Sequence, residues 1–98
     1  MPFDQSAALS FTAVSVQRNV PACSGVYGLS NSREWIFIGE TGDLQAALLQ
    51  HLQERGTEVA ASKPTGVCFE RSAPAARFTR LQQLIREFNP FCNRRGSP

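Results

Sequence analysis

The seven residues Glu34-Trp35-Ile36-Phe37-Ile38-Gly39-Glu40 constrain the fold of this chain more than any others. An unbroken run of aromatic and β-branched side chains suits a pleated, buried surface and makes a poor helix. A strand needs a partner, and the segment just before supplies one. Gly25 to Ser30 (GVYGLS) reads as a second strand, and Asn31-Ser32-Arg33 between the two has turn chemistry. Two strands joined by a short polar connection predict an antiparallel hairpin. Gly42-Asp43 then opens a helix, with Asp43 as its N-cap. Leu44, Ala47, Leu48, His51 and Leu52 recur at helical spacing, and Gly56 suits a stop just after Arg55.

The remaining segments complete an α+β pattern. Val67 to Arg71 reads as a third strand after a loop over residues 57–66. Ser72-Ala73-Pro74 starts a second helix, with proline in the first turn where its missing N–H does no harm. Phe78, Leu81, Leu84, Ile85 and Phe88 form the predicted buried stripe of that helix, and Asn89-Pro90 ends it. Phe11 to Asn19 fits a short helix or an extended entry, and Val20-Pro21 is extended. The predicted architecture is a small three-stranded, mainly antiparallel sheet with helices packed on it. The 98 residues amount to one domain, with a core over about residues 20–93 and tails at 1–10 and 94–98.

Composition excludes several classes. At 42% hydrophobic and 18% charged, the chain has apolar material for one core, which excludes disorder by composition. No apolar run is long enough to span a bilayer, and the N-terminus lacks a secretory pattern, so no membrane partner and a cytoplasmic location are expected. Cys23, Cys68 and Cys92 are odd in number and widely spaced, which suits neither a disulfide framework nor a zinc site. They read as reduced thiols, and no metal site is expected from them. The net charge of +2 is mild, but it is uneven. Residues 1–49 carry two basic side chains against four acidic ones, and residues 50–98 carry eight against four. Nine of the ten basic residues are arginine, the better fork for phosphate and carboxylate oxygens.

The order of certain residues is more specific than the composition. Gly25-Val26-Tyr27 is followed by Phe37-Ile38-Gly39, then by Thr41, Asp43-Leu44 and His51, and finally by Leu84-Ile85, Pro90 and Asn93. In this order and context the chain, from about Val20 to Asn93, resembles a GIY-YIG domain, the nuclease module named for the two tripeptides. The resemblance implies metal-dependent hydrolysis of a phosphodiester. Tyr27 would work near the attacking water, an arginine on the first helix would meet charge on the phosphate, and a glutamate on the second would hold one divalent metal. Developing negative charge needs a cation, and a hard metal needs carboxylate oxygen.

The chain departs from that pattern where the chemistry is heaviest. The family's arginine lies four residues before the histidine, a position taken here by Ala47. Its glutamate lies three residues before the leucine-isoleucine pair, a position taken by Leu81. Phe37 opens the second tripeptide without a hydroxyl. Tyr27, His51 and Asn93 remain, with Gly25 and Gly39 as backbone positions. Rate falls tenfold for each ~1.4 kcal/mol of lost transition-state stabilisation, so losing both groups predicts no useful turnover.

The expected function is therefore a catalytically inactive GIY-YIG-like module that binds nucleic acid, DNA or RNA, or a protein partner, and needs no cofactor. One alternative is an endonuclease with a rearranged site, using magnesium or manganese, with Glu40 as the replacement carboxylate beside Arg77 or Arg80. A second is a protein-interaction scaffold with no nucleic-acid role. Arg77, Arg80 and Arg86 are the candidate nucleic-acid contacts; the first two are three apart and share a helix face, and Arg86 is offset. Plainer readings stand beside these. Tyr27 is a packed tyrosine with a satisfied hydroxyl, His51 is bonded to Tyr27 or to a carbonyl, and Trp35 and Phe37 share one strand face in the core. The arginines form a solvated helix face.

Overall fold

A computed structural model describes residues 9–94. The elements run β1 (Leu9–Ser10), α1 (Ala13–Asn19), β2 (Gly25–Ser30), β3 (Trp35–Thr41), α2 (Leu44–Gln53), α3 (Glu58–Ala61), β4 (Gly66–Arg71), α4 (Pro74–Phe88) and α5 (Phe91–Arg94). The strands form one antiparallel sheet in the order β1-β4-β2-β3. The expected hairpin, central helix, third strand and long second helix are present. The sheet has four strands rather than three, because Leu9 and Ser10 pair with Val67 and Gly66. Two residues carry no readable alternation, so this strand left no pattern to find. The rest of the expected tails, residues 1–8 and 95–98, lies outside the described residues.

Local chemistry accounts for most helix ends. Thr12, Asp43 and Thr57 accept the main-chain N–H of Ser15, Ala46 and Ala60, each capping a helix start. Helix α4 begins on Pro74 with no side-chain cap, and its entry is tied instead by Ser72 N–H donating to Ser24 O at 3.0 Å. It ends at Asn89, whose left-handed φ of 49° directs its N–H to Ile85 O at 2.7 Å. Helix α2 stops at Gln53, before Gly56, and a single turn, α3, occupies part of the expected loop.

The sheet is covered on both faces. Tyr27, Leu29 and Val67 face one cluster, completed by Phe11, Val16, Val20, Leu44 and Leu48 from the N-terminal segment, α1 and α2. Val26, Ile38 and Cys68 face the other, closed by Leu84 of α4. A bulge then overturns one expectation. The β2–β3 register steps from Leu29↔Phe37 to Ser30↔Trp35, which leaves Ile36 as the extra residue. Trp35 and Phe37 therefore lie on opposite faces. Trp35 packs on Phe88 of α4 with ring centroids 4.7 Å apart, and Phe37 packs on the Tyr27 side.

Phe78 is a second correction. It was expected in the buried stripe of α4, yet it is 63% exposed. The sheet-facing positions early in this helix belong to Arg77 and Arg80, which reach carboxylates on the sheet. The apolar seam begins only at Leu81 and runs through Leu84, Ile85 and Phe88. Among the described residues no helix is long and apolar enough to cross a membrane.

Candidate functional site

Tyr27 points from the central strand toward α2. Its hydroxyl lies 2.8 Å from Nε2 of His51, and Nδ1 of His51 lies 2.9 Å from Oε1 of Glu54. An ionised carboxylate only accepts, so Nδ1 carries the hydrogen. In the neutral ring Nε2 is then left to accept from the phenol. Glu54, which completes the chain, sits at the end of α2, three residues beyond His51. Neither motif nor spacing had singled it out, although an i, i+3 acid beside the histidine was a readable signal.

Phe37 packs against both rings, with centroids 6.2 Å from Tyr27 and 5.7 Å from His51. Gly39 leaves the space these rings fill. A Cβ there would lie 2.8 Å from the Tyr27 hydroxyl oxygen and 2.8 Å from Cε2 of Phe37. A hollow of about 260 Å³ opens beside His51. Phe37, Val59 and Cys92 give it apolar walls, and Glu54 and Glu58 give it acidic ones.

Burial, and secondarily the charge of Glu54, raise the Tyr27 phenol above its ordinary pKa of 10.0. The group is therefore a protonated hydrogen-bond donor at neutral pH, not a base. Burial also raises the Cys68 thiol above 9.0. Both groups favour folding in their neutral forms. Their contribution is complete below the unfolded-state values and is lost as pH rises through the folded-state ones. Thermal unfolding followed from pH 8 to 11 should show stability falling above about pH 9, and more shallowly in Tyr27→Phe. An unchanged alkaline slope in that variant would remove Tyr27 as a cause.

The other residues singled out by the sequence fall elsewhere. Ala47 is half-buried on α2 against the Tyr27 cluster, and Leu81 is half-buried on α4 against the opposite one. Asn93 sits at the outer edge of β3. Its Oδ1 accepts the Ile38 N–H at 2.8 Å and its Nδ2 donates to Ile38 O at 3.0 Å, so a side-chain amide stands in for a neighbouring strand. Gly25, at the start of β2, lies tight against β4 and α2.

Glu40 and Glu70 flank Val26 across the sheet, one on each neighbouring strand. Arg77 Nε donates to Glu40 at 2.9 Å and its Nη1 to Ser24 Oγ at 3.1 Å. Arg80 grips Glu70 with two parallel bonds, of 2.6 and 2.8 Å. The two arginines expected on a solvated or nucleic-acid-facing surface are thus held in ion pairs against the sheet. Arg86 alone of the three is fully on the outside. Among the described residues no group of three or more His, Cys, Asp or Glu side chains gathers to hold a metal ion.

No protein-family model matches the sequence, and no curated protein does. Solved structures do match. One is the GIY-YIG N-terminal endonuclease domain of UvrC from Thermotoga maritima bound to its catalytic magnesium. It superposes with a TM-score of 0.65 at 20% identity, covering 76% of this chain and 91% of that one. A point mutant of the same domain, with tyrosine replaced by phenylalanine and its catalytic divalent cation bound, gives 0.64 at 21%, with 76% and 91% covered. A second tyrosine-to-phenylalanine mutant gives 0.64 at 18%, with 76% and 90% covered. This chain therefore has the fold of the GIY-YIG endonuclease domain.

Proposed function

We propose that this chain is a non-catalytic GIY-YIG-fold module that binds a partner and does not cut it. The observation that carries the reading is the mutual neutralisation of its spare charges. With Ala47 and Leu81 at the positions of the family's arginine and glutamate, Glu40 or Glu70 would have to hold the metal and Arg77 or Arg80 the phosphate. Each of these carboxylates is instead paired with one of these guanidinium groups.

The divalent cation bound by the solved domains does not fit the residues present here. Its donor set would be carboxylate oxygen, and the Leu81 side chain packs in an apolar cluster. Tyr27 is equally unsuited to activating water, since its hydroxyl is buried and turned to His51. The acidic hollow beside His51 repels a phosphate rather than attracting one. Each lost group removes several kcal/mol of stabilisation from a phosphoryl transition state.

Supercoiled plasmid incubated with the protein and either magnesium or manganese should remain supercoiled. Nicked circles accumulating with the wild type and absent with Glu40→Ala would overturn the reading.

A further inference from the structure

The pairing of Arg77 and Arg80 raises the question of where this chain could hold an anion. One place brings two cations from different loops, neither in an ion pair among the described residues, to a single hollow. It lies at the turn end of the hairpin, between residues 31–34 and the connection from α3 to β4, with a volume of about 440 Å³. Arg33 comes from the turn and Lys63 from the connection, and both are exposed. Ser32 and Thr65, which carry hydroxyl groups, line the same hollow.

The two loops are tied, so the positions from which the two side chains extend are set by backbone. Asn31 Oδ1 accepts the N–H of Arg33 at 2.8 Å and of Glu34 at 3.0 Å, and its Nδ2 donates to Ser62 O at 3.2 Å. Thr65 N–H donates to Ser30 O at 2.8 Å. Lys63 holds a left-handed backbone, φ 52°. Glycine adopts that conformation most readily, and here it closes the C-terminus of α3, where the Lys63 N–H donates to Ala60 O at 3.1 Å. Glu34 also lines the hollow and leaves its lining at a net single positive charge.

We infer that this hollow binds a phosphate group, with Arg33 and Lys63 as its cations and the Ser32 and Thr65 hydroxyls as further donors. Guanidinium and ammonium groups bind phosphate oxygens through charge-assisted hydrogen bonds. The hollow is open to solvent, which leaves the rest of a phosphorylated molecule free to extend from it. The site lies at the far end of β2 from Gly25 and Glu40, roughly 17 Å along the strand. It is separate from every position that the GIY-YIG resemblance points to. It also stands apart from the loss of catalysis: nicking by the protein would leave this site standing, and failure of this site would leave the protein non-catalytic.

Nitrogen-edited NMR titrations of the whole chain test it, first with inorganic phosphate against sodium chloride of matched ionic strength. A short oligothymidylate follows. The amides of Ser32, Arg33, Lys63 and Thr65 should shift and saturate with phosphate and not with chloride. Arg33→Gln with Lys63→Gly should weaken binding about tenfold. The glycine relieves the left-handed backbone, so the loss would not reflect misfolding. Arg86→Gln, which removes the same type of charge from α4, should change nothing. Shifts with phosphate alone support the site and assign it to a small phosphorylated molecule; shifts with both assign it to a nucleic-acid strand. No saturable shift at these residues, an equal response to chloride, or equal weakening by Arg86→Gln overturns the inference.

Discussion

Gly25→Ala is expected to destabilise the protein by about 3 kcal/mol, the upper range for forcing atoms into a filled site. A Cβ at this position would collide with the main-chain oxygen of Glu70, and would lie 2.8 Å from Cδ1 of Leu44 and 3.2 Å from Cα of Arg71. The first and last of these are backbone of β4, paired with β2 in register at Gly25↔Arg71. They cannot retreat without opening the end of the ladder. Leu44 is fully buried at the first turn of α2, so moving it disturbs the packed core. The entropy gained by replacing glycine, below about 1 kcal/mol, does not offset this. For a domain of this size the melting temperature should fall by about 12 °C or more. Urea unfolding followed by Trp35 fluorescence measures the loss directly. A change below about 1 kcal/mol would mean that the strand end yields, and that the fold does not require glycine there.

Glu70→Ala is expected to cost a similar amount, about 3 kcal/mol, by a different route. The Arg80 and Glu70 side chains are only 14% and 10% exposed, and the pair is bidentate. Removing the carboxylate takes away the negative charge that offsets the desolvation of the guanidinium. The Arg77–Glu40 pair is the internal comparison. Its side chains are 23% and 30% exposed and it makes a single ion-pair bond, so Glu40→Ala should cost about 1 kcal/mol or less. Replacing both Glu70 and Arg80 by leucine should recover most of the stability lost in Glu70→Ala. The order of the two single variants decides the matter. If Glu40→Ala proves the more destabilising, burial does not govern these pairs.

Much of the fold was legible because it is written locally. Asp43 caps α2 through a side chain three residues away, and Pro74 opens α4 through its own ring geometry. The apolar run around Ile36 and Ile38 marks a strand wherever it is placed. The elements that escaped are those too short for a period: β1 has two residues, and α3 and α5 have four each. The bulge at Ile36 escaped because a shift of register leaves no mark on composition, yet it sends Trp35 and Phe37 to opposite faces.

The candidate site divides in the same way. The sequence by itself determined which groups exist: a phenol at 27, an imidazole at 51, an amide at 93, methyl-bearing side chains at 47 and 81, and ten basic residues, nine of them arginine. Only the tertiary structure decided what each group meets. Tyr27 finds His51 across 24 residues, Arg77 finds Glu40 across 37, and Asn93 closes on Ile38 across 55. Caps and periodicity act within a turn or two of chain, so they can be read from it. Partners at these separations depend on strand register and on where each helix lies over the sheet, which are set by packing the whole core at once.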